Sequence, residues 1–285
     1  MSEFRTSPRR RATNALMIGL TWAAAAVATL PLLFILGYLL QKGLSALSWS
    51  FFTHLPRPPG VEGGGMANAV VGTLVVVGIA SALGVPVGIG AGVYLAEKKG
   101  APLAVVVRFL ADVLNGLPSI VIGIFAWELV VVPMGHFSAI AGGFALGAMM
   151  IPTVTRTTEE MVRVVPTSLR EAALALGYTR WRTALGIVIP TALAGILTGV
   201  LVALARIAGE TAPLLFTAFG NSFWSLSPTE PIAALPLQIF NYAISPYDEW
   251  HAQAWAGALV LIGLLLIIGL ISRAVTRSGA VRGVD

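Results

Sequence analysis

Uncharged apolar runs recur along this chain, each near or beyond the roughly 20 residues that a helix needs to cross a bilayer. The first, Ala15 to Leu40, holds no charged residue at all. Reading the runs in order predicts spans at about 15–40, 67–95, 104–132, 138–155, 184–216 and 252–272, the second and fifth long enough to tilt or break. Lipid offers no partner to a backbone N–H or C=O, so each segment must satisfy its own. The expected fold class is therefore all-α, a polytopic transmembrane bundle of about six helices. Composition agrees: charged residues make up 11% of the chain and apolar residues 56%, where an average soluble domain carries about 25% charged.

The charges that remain are placed unevenly. Arg5, Arg9, Arg10, Arg11, Lys98, Lys99, Arg156, Arg163, Arg170, Arg180, Arg182, Arg273, Arg277 and Arg282 fall on one side of the predicted spans, and only Lys42 and Arg57 on the other. The positive-inside rule then predicts both termini and the 156–183 loop in the cytoplasm, and localisation in the cytoplasmic (inner) membrane. An even number of spans independently requires the termini to share a side. The expected organisation is a basic N-terminus (1–14), a first span with its outer loop (15–66), a transmembrane domain (67–275) that includes the 156–183 loop, and a tail (276–285). The 15–40 run is too long for the h-region of a signal peptide, about 7–15 residues, so the first span is expected to be retained. A net charge of +5 does not point to nucleic acid, because it gathers at span ends beside lipid.

Several chemistries are absent. The chain has no cysteine, which excludes disulfides and thiolate sites. None of its three lysines follows a glycine, so it lacks the phosphate loop of an ATPase. No metal-ligand spacing occurs, and His54, His136 and His251 stand isolated near the predicted outer interface. The chain reads as a non-enzyme that binds no cofactor, and uphill transport would need an ion gradient or a partner. Glycines recur at four-residue spacing (Gly84, Gly88, Gly92; Gly143, Gly147; Gly195, Gly199), which reads as close helix packing rather than chemistry.

The 156–183 loop carries the most specific pattern. Ser168 and Glu171 have capping-box spacing, and Gly177 suits a helix C-cap. Between them Leu169, Ala172, Ala173 and Leu176 form one apolar stripe at i, i+3, i+4 and i+7, flanked by Arg170. Two turns are marginal in isolation. Docking in another protein's groove and packing against the ends of the bundle both fit these residues.

Glu171-Ala172-Ala173, three residues, Gly177, nine residues and Ile187-Val188-Ile189-Pro190 resemble the EAA motif of ABC importer permeases, with Ile189 the one departure. The resemblance implies the permease (MetI-like) fold and a coupling helix seated in an ATPase cleft, with Glu171, Ala172, Ala173 and Gly177 at the contact. Leu117–Phe125 and Ala205–Thr217, the latter with Ala212-Pro213 after Gly209-Glu210-Thr211, are similar to the PstA-type permeases of phosphate importers. What this implies is a second, PstC-type permease completing the pore, two copies of an ATPase carrying ATP and Mg, and an extracytoplasmic phosphate-binding protein.

The same segments have a physical reading. Arg206 and Glu210 stand i, i+4, within ion-pair reach if one helix carries both. Charge inside a bilayer is costly, so such groups pair or line a polar cavity. A guanidinium takes phosphate oxygens bidentately and stays charged. A pathway role and a purely structural bridge both remain open. Asn115-Gly116-Leu117-Pro118-Ser119 should break the third span, either as a packing kink or as a half-helix that turns Asn115, Ser119 and free N–H groups toward an anion. Arg108 and Asp112, also i, i+4, are expected to pair at the interface. An ion-coupled secondary transporter, or a permease for another oxyanion, is the alternative; the former leaves the Glu171–Pro190 spacing unexplained.

Overall fold

The computed structural model describes residues 7–61, 63–98 and 100–281. Of the basic set, Arg5, Lys99 and Arg282 lie outside the described residues, as does the side chain of Arg277. The described chain is helical: α1 (Pro8–Ala46), α2 (Trp49–Thr53), α3 (Ala67–Glu97), α4 (Pro102–Gly116), α5 (Ser119–Met134), α6 (Ala139–Val164), α7 (Thr167–Ala175), α8 (Arg180–Ala208), α9 (Ala212–Thr217), α10 (Leu235–Ala243) and α11 (Asp248–Val281). Among the described residues, helices α1, α3, α6, α8 and α11 are each long and apolar enough to cross a membrane, and α4 with α5 makes a sixth if the bent pair is counted as one span. The bundle class and span number therefore stand. Boundaries shift outward, since α1 begins within the expected N-terminal segment and α11 runs through Val281 into the expected tail.

Two expected spans are interrupted. The 104–132 segment bends by 107° between α4 and α5. Pro118 offers no N–H and restricts its predecessor, and Leu117 is accordingly extended at φ −72°, ψ 138°. The 184–216 segment ends its helix at Ala208 and restarts as α9 after Gly209. Two further prolines leave milder marks. A π turn precedes each, Trp127–Val131 before Pro133 and Ala184–Val188 before Pro190, widening the helix where the ring would meet the carbonyl four residues back.

The core is the parallel seam of α3 on α6, and the glycine ladder makes it. A Cβ added at Gly84 would stand 3.0 Å from Met150 Cβ, at Gly88 2.7 Å from Val154 Cβ, and at Gly92 2.5 Å from Thr158 Cβ. Gly143 answers from α6 against Ile79, while Gly195 and Gly199 of α8 close on Met161 and Thr157. The packing reading of these glycines holds. A Gly92→Val variant should therefore lose several degrees of thermal stability in detergent, whereas Gly78→Ala, with nothing within 4 Å of its Cβ, should leave it unchanged. A thermal unfolding curve for each checks this; the overpacking term alone is about 1–3 kcal/mol.

Helix α1 joins the bundle through its second half. Tyr38 meets Trp255 edge-on at 5.1 Å, and Gly43 abuts Leu259, while residues 7–35 are exposed. One end of the bundle gathers Lys98, Arg163, Arg170, Arg180 and Arg182 around the α3–α4 turn and α7; it is called the basic end below. At the far end a loop returns from α9, pairs Phe219 with Ile232 in an isolated bridge, and leads into α10. A cavity of about 210 Å³ lies there, lined by Asn221, Ser222, Gln238, Asn241 and Tyr242 among others. Burial pushes the Tyr242 phenol up, and its ring stacks on Trp250 at 4.6 Å.

Candidate functional site

Two groups of residues singled out by sequence lie at different depths. At the basic end, α7 stands between α6 and α8. Its start differs from the expected capping box: the helix begins at Thr167 behind Pro166, with no side-chain cap, so Ser168 falls inside the first turn. Pro166 fixes the entry backbone and leaves no free position for a serine cap. Its end matches expectation. Gly177 sits at φ +82°; its N–H donates to Leu174 O (3.0 Å) and the N–H of Tyr178 to Ala173 O (3.1 Å), the paired bonds of a Schellman cap.

The apolar stripe of α7 divides. Ala173 is 2% exposed and packs within this chain, against the start of α8. Leu169, Glu171, Ala172 and Leu176 face outward, with Leu176 79% exposed. The expectation that Ala173 itself meets a partner is therefore corrected, because its methyl group is consumed in seating the helix. Arg170 does a second part of that seating: its guanidinium pairs with Glu97 at the end of α3 and donates to Val162 O at 2.8 Å. Two helices thus hold α7 by its arginine, and its remaining face is left free.

The second group lies deeper. Gly195 on Met161 and Gly199 on Thr157 set an antiparallel register between α8 and α6. Continued one turn, that register puts Ala203 opposite Thr153 and Arg206 just beyond. Thr153 Oγ donates to Asn115 Oδ1 at 3.3 Å, so the α4–α5 break and the end of α8 meet the same stretch of α6. Past the break, Gly123 of α5 receives Pro213 of α9, a Cβ there standing 2.7 Å from Pro213 Cα. Thr217 O accepts from the Ser138 N–H, so α9 runs parallel to α5. Ser119 and Glu210 accordingly lie on the same side of the Gly123–Pro213 contact, toward the basic end. Asn115 and the end of α8 thus approach the same stretch of α6, while Ser119 and Glu210 lie beside the Gly123–Pro213 contact.

The structure does not pair Arg206 with Glu210. The helix that was to carry both ends at Ala208, with the Gly209 N–H on Arg206 O, so the i, i+4 relation is lost. Arg206 is exposed and Glu210 half-buried, and neither side chain has an ion-pair partner among the described residues. Arg108 and Asp112 likewise pair away from each other, across to α6: Arg108 with Glu159 at 2.7 Å and Asp112 with Arg156. Sequence reading passed over Glu159, which is 2% exposed. Its signal was present in Arg156-x-x-Glu159-x-x-x-Arg163, whose i, i+3 and i+4 spacing puts three charges on one helix face.

The family model for the inner membrane component of binding-protein-dependent transport systems matches residues 84–278. This chain belongs to that family. It is 45% identical over 267 residues to a phosphate transport system permease protein PstA of Yersinia pestis, covering 93% of this chain and 90% of the relative. A PstA protein of Xylella fastidiosa is 47% identical over 268 residues, 93% of each chain. Among solved structures, the inward-facing MetNI methionine ABC transporter matches with a TM-score of 0.59 at 18% identity, over 74% of this chain and 93% of that one. An amino acid ABC transporter solved with histidines matches at 0.55 and 17%, over 75% and 92%. At those identities the structures speak for the fold alone, which is that of ABC permeases.

Proposed function

We infer that this chain is a pore-forming permease subunit of an ATP-driven importer that moves inorganic phosphate across the cytoplasmic membrane by alternating access. The observation that carries the reading is α7: a short, C-capped helix with the EAA spacing, anchored by Ala173 and Arg170 and presenting Leu169, Ala172 and Leu176 outward. A two-turn apolar face exposed to water has no folding role of its own, and a groove in a partner is what covers it. That partner is an ATPase subunit, two copies per transporter, which binds ATP and Mg and does the hydrolysis. This chain then binds no cofactor and is not itself an enzyme.

Phosphate as the substrate rests on the relatives named PstA and on the exposed guanidinium of Arg206. In this reading Arg206 and Glu210, with Asn115 and Ser119, line half of the pathway. A homologous PstC-type permease supplies the other half, and an extracytoplasmic phosphate-binding protein delivers the anion. An ion-coupled carrier would leave α7 without a task. Purification in mild detergent, with an ATP analogue on the resin, tests the reading. A nucleotide-binding subunit should be retained together with this chain, and its absence from an intact preparation would oppose the importer assignment.

The basic end faces the cytoplasm, as positive charge at short loops dictates. A cysteine placed at Ser222 should react with an impermeant thiol reagent in intact cells, and one at Ser168 only after permeabilisation. Both serines are exposed and the chain has no other cysteine, so reversed labelling would invert the topology.

A further inference from the structure

About one turn toward the basic end from Asn115, five ionised side chains meet. The Glu159 carboxylate, 2% exposed, accepts from Arg108 (2.7 Å), Arg156 (3.3 Å) and Arg163. Arg156 gives Nη1 to Glu159 and turns its other edge to Asp112, with Nε 3.0 Å from Oδ1 and Nη2 on the same oxygen. The two carboxylates differ in kind. Glu159 is enclosed by protein and shared among three guanidiniums, so it serves as a fixed counter-ion. The side chain of Asp112 is 54% exposed and holds only the Nε/Nη2 edge. That edge is the fork by which a guanidinium grips an oxyanion. Three guanidiniums against two carboxylates also leave the cluster with surplus positive charge.

We propose that Asp112 occupies a second anion station, the fork of Arg156, and that a transported inorganic oxyanion displaces its carboxylate there. The inference rests on the pathway reading given above. Asn115 on Thr153 and Asp112 on Arg156 are successive rungs between α4 and α6, so an anion leaving the level of Arg206 toward the basic end meets this fork next. Glu159 is a positioning residue, holding the guanidinium by Nη1 so that the fork faces outward. A tethered carboxylate in competition keeps the station weak. Conduction needs that weakness, since a site must release what it takes.

The test uses the detergent-solubilised complex, phenylglyoxal as the arginine reagent, and peptide mass analysis at Arg156, with inorganic phosphate as the probe. Phosphate should slow modification of Arg156 where chloride at equal ionic strength does not. In Asp112→Asn the fork is vacated. Arg156 should then react faster without phosphate, and half-protection should come at about threefold lower phosphate, the size of a half-exposed ion pair. Asp112 is a surface side chain and Arg156 keeps Glu159, so the variant retains its fold. Equal modification with and without phosphate in both proteins, in complexes whose uptake is normal, would overturn the station and leave the cluster a clamp between α4 and α6. Protection of Arg156 is measured without turnover. If it persisted in complexes with no uptake, the transport reading would fail and the station would stand.

Discussion

Arg206→Gln is expected to cut phosphate uptake on the order of 100-fold while the complex accumulates normally. A charge-assisted bidentate contact is worth about 3 kcal/mol at its upper end, and about 1.4 kcal/mol is tenfold in rate. Glutamine keeps one hydrogen-bonding arm but no charge. It also removes a positive charge from the pathway while the Glu210 carboxylate stays, and both changes act in the same direction. Arg206→Lys should fall between, since it keeps a point charge and loses the fork. The fold should tolerate either change, because Arg206 is exposed and holds no partner among the described residues. Had the two residues formed the expected bridge, removing one would have left a buried charge, and the double neutral variant would have rescued it. With no bridge, Arg206→Gln/Glu210→Gln should stay inactive. Uptake per assembled complex, compared across the three variants, checks this. Near-normal uptake in the double variant would remove Arg206 from the pathway.

Leu176→Asp is the second large effect. Leu176 is 79% exposed at the end of α7, so aspartate costs little in the isolated chain and places a desolvated charge in any groove that receives the helix. ATP-driven uptake should disappear, and the ATPase should no longer co-purify, with membrane insertion unchanged. Ala173→Asp should behave differently. Its carboxylate would be buried inside this chain, so it should reduce the amount of folded protein, measured by size-exclusion chromatography of the detergent extract. A Leu176→Asp complex that retains ATPase and transports normally would show that the exposed face of α7 is not the coupling surface.

The bundle was legible in the sequence because lipid permits so few alternatives: apolar runs of helical length, separated by charge or by proline, translate directly into spans. The glycine ladder of α3 and the Gly177 cap were legible for a related reason. Each is a local steric requirement that glycine alone meets at those points. Partner choice among the charges was less accessible. Spacing of i, i+4 joined Arg206 to Glu210 and Arg108 to Asp112. The first pair failed because Gly209 ends the helix between its members, the second because α6 offers Glu159 and Arg156 across the interface. A charged residue takes the partner that tertiary packing supplies, and a single chain's periodicity holds no record of it. The same limit applied to Ala173, whose stripe was visible while the side it buries depended on where α8 begins. Glu159 was overlooked although its i, i+3 and i+4 neighbours were in plain sight, because its stretch of α6 reads as the charged start of a loop beyond the 138–155 run.

The most direct test of the central claim is phosphate uptake into proteoliposomes. This chain would be reconstituted with its permease and ATPase partners, with the binding protein on the side of the far end and ATP on the side of the basic end. Uptake should require ATP on that side, persist when ion gradients are collapsed with ionophores, and vanish in Leu176→Asp. Phosphate accumulation that follows an imposed ion gradient and proceeds without ATP would contradict the account.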